Sequence, residues 1–304
     1  MIDNDYEKNF RRELSGEIQP GGPFVMHLLM KEKCSMPSRK RMEEVLEKHL
    51  GGVECFCCDE NVAGFTAKRY RAEFKGEDVP PQLIITGCTE LGDYEISAME
   101  RSQMWDCENS EEILDACQYH VAATDLFAGA MPSYKERADL LMNFMEALVE
   151  LYPECAAVQF QTSGKMFERE KILGHQIPKE ERFIYFAVNA RLFNVEGGTD
   201  LLLDTLGMST LFLPDLQYHF IGIDPNLVVN HAYQMLLYLY ENGAVIESGE
   251  TVDGIREGEL SDDVRWECHY ESAMVQPTRD LLDIHMGEYA AGSRNYAGSK
   301  LEQG

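Results

Sequence analysis

The feature that most limits the fold is an order of short apolar runs and capped helical stretches that recurs along the chain. Phe24 to Met30 is an apolar run of strand length. Met36-Pro37-Ser38 then opens a helix in which Met42, Val45, Leu46 and His49 or Leu50 recur at helical spacing, and Gly51-Gly52 stops it. Val53 to Cys58, Phe65 to Phe74 and Pro81 to Cys88 read as strands, and Ser110 caps a short helix with Glu111 and Glu112 in its favourable first turn. The same order follows again. Tyr119 to Phe127 is a strand, and Pro132-Ser133 opens a helix whose apolar stripe is Ala138, Leu141, Met142, Met145, Leu148 and Val149, with Pro153 past its end. Ala156 to Gln161 is a strand. Arg182 to Val195 reads as a long strand, and Glu196-Gly197-Gly198-Thr199 turns it into Leu201–Leu206. Asp224-Pro225-Asn226 starts the last strong helix, Leu227 to Tyr240, which Asn242-Gly243 ends, and Ala244 to Glu247 reads as extended.

Strand–helix–strand–strand order predicts an α+β protein, with a mixed or antiparallel sheet or sheets and helices packed on one face. It also suggests two similar strand-helix-strand-strand-strand-helix halves, residues 23–117 and 118–250. Residues 1–22 read as a flexible N-terminal arm ending in Pro20-Gly21-Gly22. Residues 251–304 read as an acidic C-terminal segment with a mobile end, because 13 acids face 5 bases from Glu247 onward.

Charge removes several functions. The 304 residues carry 53 Asp and Glu against 27 Lys and Arg, a net charge of −26. Binding nucleic acid needs a basic face to neutralise phosphates, and lying on anionic lipid needs one too. With 44% hydrophobic residues the composition is that of a packed domain, so the acidity belongs to the surface. The most apolar stretch, Leu227 to Tyr240, is interrupted by Asn230, His231 and Gln234 and is too short to span a bilayer. Met1 to Gln19 is charged and lacks the apolar segment of a secretory signal. Nine cysteines at scattered spacing, with no export signal, read as reduced thiols in a cytoplasmic compartment, bacterial or other.

No dinucleotide fingerprint, phosphate-cradling loop, zinc-protease helix or calcium loop is present; Gly164-Lys165 lacks both the upstream Gly and the following Ser or Thr of a phosphate loop. Gly207-Met208-Ser209-Thr210-Leu211 comes closest to a nucleophile elbow, but Leu211 stands where the crowded turn needs a small residue, so Ser209 reads as a turn or strand-end residue. Cys55-Phe56-Cys57-Cys58 lacks the second spaced pair of a zinc site and reads as small core residues. Cys268 and His269, as neighbours in extended chain, face opposite sides. His120 and His231 have the chemistry of a general base, but neither has a carboxylate or thiol motif beside it. Asp262-Asp263 read as solvated. The better ligand-binding candidates lie where apolar strands end in polar turns. One is the exit Gln159, Gln161, Thr162, Ser163, Gly164; the other is the 205–215 stretch. Gln161, Ser163, Thr205 and Ser209 are the candidates these turns supply. No metal and no cofactor is expected.

The stretch Arg182 to Glu250 carries a resemblance. Val188-Asn189-Ala190-Arg191-Leu192-Phe193, Thr205-Leu206-Gly207-Met208 and Leu213-Pro214-Asp215-Leu216 resemble phrases of the bacterial family known as domain of unknown function 4261. The likeness is strongest over the last third of the chain and weaker but compatible from Phe24 on. It implies no activity and no catalytic residue. A more distant likeness to the suppressor-of-fused-like immunity domains supports only an immunity-like role. Together these features lead to a cytoplasmic, non-catalytic protein-interaction module whose acidity suits a basic protein partner. The alternative is an enzyme or small-ligand-binding protein with its site near the 159–164 and 205–215 strand ends. A deep pocket at those segments favours the alternative, and a flat surface counts against it.

Overall fold

The computed structural model describes residues 20–292 apart from 93 and 95. The first nineteen residues of the expected arm, and the end of the acidic segment from 293 on, lie outside the described residues.

The chain is α+β, with two main sheets. The first sheet takes β1 (Val25–Met30), β2 (Val53–Cys58), β3 (Val62–Ala67), β6 (Gln82–Thr86), β8 (Tyr119–Leu126), β9 (Cys155–Phe160) and β10 (Met166–Glu168), in the order β10-β9-β1-β8-β6-β3-β2. Between β3 and β6 the short strands β4 (Ala72–Phe74) and β5 (Glu77–Val79) pair only with each other, and β7 (Thr89–Glu90) adds to β8. Every pairing in this sheet is antiparallel.

Two helices cover one face. In α1 (Arg39–Leu50) the Ser38 hydroxyl accepts from the Arg41 amide, and Met42, Val45, Leu46 and Leu50 are buried. The opposite face is covered at its β9–β1 end by residues 91–117, an excursion holding the short helices α2 (Ala98–Arg101) and α3 (Ser110–Ala116). There Leu29 packs with Met104, Cys107, Leu114, Ala157 and Met166 in a core of its own. The long helix α4 (Tyr134–Leu151) is capped by Ser133 and buries eleven of its eighteen residues. That is more than one stripe, so α4 has partners on several sides: α1, the short α5 (Arg169–Leu173) and α6 (Arg182–Ala187).

The second sheet is formed by β11 (Asn189–Asn194), β12 (Leu201–Leu206), β13 (Asp215–Phe220), β14 (Thr251–Arg256), β15 (Glu259–Ser272) and β16 (Asp280–His285), in the order β11-β12-β13-β16-β15-β14. It is antiparallel except where β16 inserts parallel to β13. The helix α7 (Pro225–Asn242), capped by Asp224 and ended by Gly243, lies against β12 and β13. One continuous core joins the helix-covered face of the first sheet, α4, α6, α7 and the second sheet. The first sheet draws strands from both sides of residue 117, so the expected halves 23–117 and 118–250 do not each own a sheet.

Four expectations change. Arg182 to Val195 is not one strand; α6 occupies its first six residues. The run Phe183, Ile184, Phe186, Ala187 is buried on several sides, and such a run has no period that separates helix from strand. Helix wins because Arg182 is drawn to Glu146, Asp139 and Asn143 on α4. Phe65 to Phe74 is also broken: β3 ends at Ala67 and β4 starts at Ala72. Ala244 to Glu247 forms no strand. The acidic segment from 251 to 285 supplies half the second sheet. Many of its charges sit on outward positions of β14 and β15, as in the pair Arg256–Asp263, while Trp266 and Cys268 point into the core and Arg279 and Asp283 are buried.

Candidate functional site

The ends of the two sheets meet at a cleft of about 570 Å³. Its walls come from residues 97–103, 161–164, 189–191, 206–210 and 276–277, closed at one side by Gly22, Pro23 and Val25. Each wall follows from a local decision of the chain.

On the first-sheet side, β9 leaves the core at Gln161, whose amide bonds to the Val25 carbonyl (3.0 Å). The turn closes when the Gly164 amide bonds to the Phe160 carbonyl (2.8 Å), with Gly164 at φ +68°, a conformation that favours glycine. The Ser163 hydroxyl accepts from the Lys165 amide. Lys165 then runs into the interior, donating to the carbonyls of Tyr185 (2.6 Å) and Val188 (3.0 Å) and pairing with Asp106 (3.2 Å). This buried ammonium ties the turn, α6 and the 91–117 excursion together. Asn189 does the same at the cleft itself, its side-chain amide donating to the carbonyls of Gln103 (3.2 Å) and Ser163 (3.3 Å).

On the second-sheet side, Gly207 (φ +137°) ends β12. A Cβ there would stand 2.5 Å from the Ala187 carbonyl oxygen, so only glycine fits. It opens the single-turn helix Met208–Leu211, which carries Ser209 into the cleft wall. The buried Arg137 of α4 fixes that turn by donating to the Thr210 carbonyl (2.5 Å) and to the Gly22 carbonyl (2.7 Å), so one guanidinium pins two edges of the cleft.

Behind this wall lies a closed charge network. Arg191 grips Asp204 with two donors (2.8 and 2.5 Å), and Arg279 donates to the same carboxylate (2.6 Å) and approaches Asp215 (3.3 Å). Arg191 also donates to the Gln276 carbonyl (3.0 Å), and Arg279 to the Pro277 carbonyl (2.9 Å), which holds the 275–277 loop in place as a wall. Burial pushes the Asp215 carboxyl up to about 6 against the pull of Arg279.

The four candidates separate. Gln161, Ser163 and Ser209 line the same cleft, though they are far apart in sequence. Thr205 does not. It is fully buried behind the wall, its hydroxyl donating to Asp215 (3.3 Å) and accepting from the Leu216 amide (2.8 Å), and it braces the network. Ser209 is 5% exposed, and its hydroxyl has no hydrogen-bond partner among the described residues. Asn189, Arg191, Glu100 and Gln103 also line the cleft and were not among the candidates. Asn189 and Arg191 stood in plain sight as polar residues inside an apolar run. Ser97-Ala98-Met99-Glu100 has the spacing of a helix-capping box, but nothing local marks Glu100 or Gln103 as cleft residues.

Gln161 also reaches a pair of histidines. Its side-chain oxygen lies 3.0 Å from His27 Nε2, and His27 Nδ1 lies 2.9 Å from His120 Nδ1. With the Gln161 oxygen as acceptor, His27 carries its hydrogen on Nε2 and takes a hydrogen bond from His120 Nδ1. The rings stack 5.0 Å apart, with Tyr94 against both. Burial lowers the pKa of each histidine, so the pair is uncharged near neutral pH.

The arrangement defines an α+β protein with a cleft between two sheet ends, its walls mixing polar side chains with Pro23, Val25, Met99, Leu206 and Pro277. Residues 204–285 match the family described as Domain of unknown function (DUF4261), which bears out the resemblance over that span. The match covers the second sheet from the end of β12 onward, with α7, and includes Asp204, Thr205, Ser209, Asp215 and Arg279. No curated protein and no solved structure matches the chain. No helix among the described residues is long and apolar enough to cross a membrane, and no three of His, Cys, Asp and Glu there converge as a metal cage.

Proposed function

We propose that this chain is a non-catalytic binding protein whose cleft takes a small polar ligand. The observation that carries this reading is the cleft itself: about 570 Å³ at the junction of two sheets, walled by amide and hydroxyl side chains set among apolar ones, with the buried Ser209 hydroxyl unpartnered among the described residues. Cavities of that size suit small molecules, and a buried hydroxyl without a partner gains when a ligand supplies one. Among the described residues the Ser209 hydroxyl bonds to no base, whereas a serine nucleophile needs one within hydrogen-bond reach. Nine free cysteines accord with a reducing cytoplasm, which belongs to the same proposal.

A second reading, a protein-interaction module with a basic partner, is favoured by one observation away from the cleft. The Phe74 and Phe127 rings lie 5.1 Å apart, tilted at 56°, and both are exposed beside exposed Leu126, on a chain of net charge −26. The two readings separate in a thermal-shift panel of polyols, amino acids, amines and nucleosides, run on the full chain and on Thr162→Trp. Thr162 is half-buried in the cleft wall, so the indole fills the cleft without entering the core. The expected result is a ligand that raises the wild-type melting temperature and leaves Thr162→Trp unmoved. A panel in which no compound distinguishes the two chains contradicts the cleft reading.

A further inference from the structure

The charges around the cleft point to one class of ligand. Two side chains in its walls are ionised, Arg191 and Glu100. Arg191 is spent: Asp204 holds two of its donors and the Gln276 carbonyl a third. Behind it, Arg279 meets Asp204 and Asp215, so two guanidiniums face two carboxylates and the group presents little net charge to the cleft. Glu100 is different. One carboxylate oxygen takes the Ser97 amide (2.9 Å) and the Ser97 hydroxyl (2.8 Å) in a capping box, and no Lys, Arg or His among the described residues lies within 4 Å of it. A Cβ on Gly164 would stand 3.4 Å from Glu100 Cγ and 3.7 Å from Oε1, so the side chain lies against the 161–164 turn that forms the same wall. An unmatched negative charge therefore faces a cleft otherwise lined by neutral donors and acceptors and by apolar residues such as Val25, Met99 and Leu206. In the field of a chain with net charge −26, cations are concentrated near it.

We propose that the cleft binds a small amine- or guanidinium-bearing molecule, its cation paired with Glu100 and its polar remainder held by the Ser209 hydroxyl and the Gln161 amide. This rests on the binding-cleft reading and adds the ligand's charge. A charge-assisted hydrogen bond in a partly closed site contributes more than a neutral one, so Glu100 sets the selectivity and Ser209 refines it.

Calorimetric titration tests it with four probes: spermidine, agmatine, neutral sorbitol and anionic citrate. Titrations use wild type, Glu100→Gln, Ser209→Ala and Glu60→Gln. Glutamine still serves in a capping box, so Glu100→Gln keeps α2. Glu60 is an exposed acid outside the cleft and reports non-specific attraction. The expected result is binding of at least one amine and not of citrate. Affinity should fall about tenfold or more in Glu100→Gln, a few-fold in Ser209→Ala and not at all in Glu60→Gln. Equal affinity in wild type and Glu100→Gln, or equal losses in Glu100→Gln and Glu60→Gln, overturns the proposal. If sorbitol or citrate binds, is blocked by Thr162→Trp, and neither amine binds, the amine proposal falls while the cleft reading stands. If none of the four probes binds the wild type, the amine proposal falls, and the Thr162→Trp panel decides the cleft reading separately.

Discussion

The cleft wall that comes from the second sheet is closed to water, whereas the wall from the first sheet is half open. Asp204, Asp215, Arg191 and Arg279 are all buried, and each charge there meets an opposite one. Across the cleft, Gln161 is exposed and Glu100 half-buried, and Glu100 meets no cation among the described residues. The difference separates two roles. A fully paired buried network fixes geometry and has nothing left to offer a ligand; an unmatched group at the surface adds little to the fold and is free to recognise one.

That contrast breaks most visibly at Asp204. Asp204→Ala leaves two buried guanidiniums without their shared carboxylate, and removing one partner of such a network costs about 3–5 kcal/mol. Denaturant unfolding should show that loss, with Asp204→Asn losing less; a loss under about 1 kcal/mol would mean the network does not hold the wall. Thr205→Val comes next. It removes the hydrogen bonds to Asp215 and from the Leu216 amide while keeping the shape, and should cost about 1–3 kcal/mol by the same measurement.

The two walls also differ in the sign of their pH dependence. Burial lowers the pKa of His27 and His120, so below the ordinary histidine value the unfolded chain binds protons that the folded chain refuses. Their contribution is complete above about pH 6.5 and is lost as pH falls below it. Asp215 runs the other way. Raised to about 6, it holds a proton in the folded chain that the unfolded chain has released, so its contribution is complete below the unfolded value and is lost as pH rises through about 6. Unfolding free energies between pH 7.5 and 5 should therefore fall less steeply in the double variant His27→Asn, His120→Asn than in wild type. Parallel curves would contradict the buried neutral pair. The smallest effect is expected at Ser209→Ala. Its hydroxyl has no partner to lose among the described residues, so stability should stay within about 0.5 kcal/mol of wild type or rise. A clear loss would show that the hydroxyl is bonded in the free protein and not waiting for a ligand.

The sequence carried the local half of this structure. Ser38, Ser133 and Asp224 cap the helices they were read to open, and the stripe on α4 is buried throughout, whereas Ser110, read as a cap, is the first residue of α3 and Asn109 precedes it without a side-chain cap. The hairpin of β11 and β12 lies around Glu196–Thr199 as its turn residues predict. What escaped was decided at long range. The parallel insertion of β16 beside β13 joins residues more than sixty positions apart, and no local pattern encodes it. The charge of β14 and β15 hides strands whose inward positions are apolar. At the cleft, a polar exit from an apolar strand marked Gln161 and Ser163. Glu100 reaches that turn only because residues 91–117 fold over the first sheet, a placement that no motif announces.

Native mass spectrometry of the gently purified full chain, wild type beside Thr162→Trp, tests the binding cleft most directly. The cleft account predicts wild-type ions heavier than the 34.6 kDa chain by the mass of one small molecule, and Thr162→Trp ions without that addition. A small molecule retained equally by both chains, or a second protein chain as the only added mass in both, would contradict it.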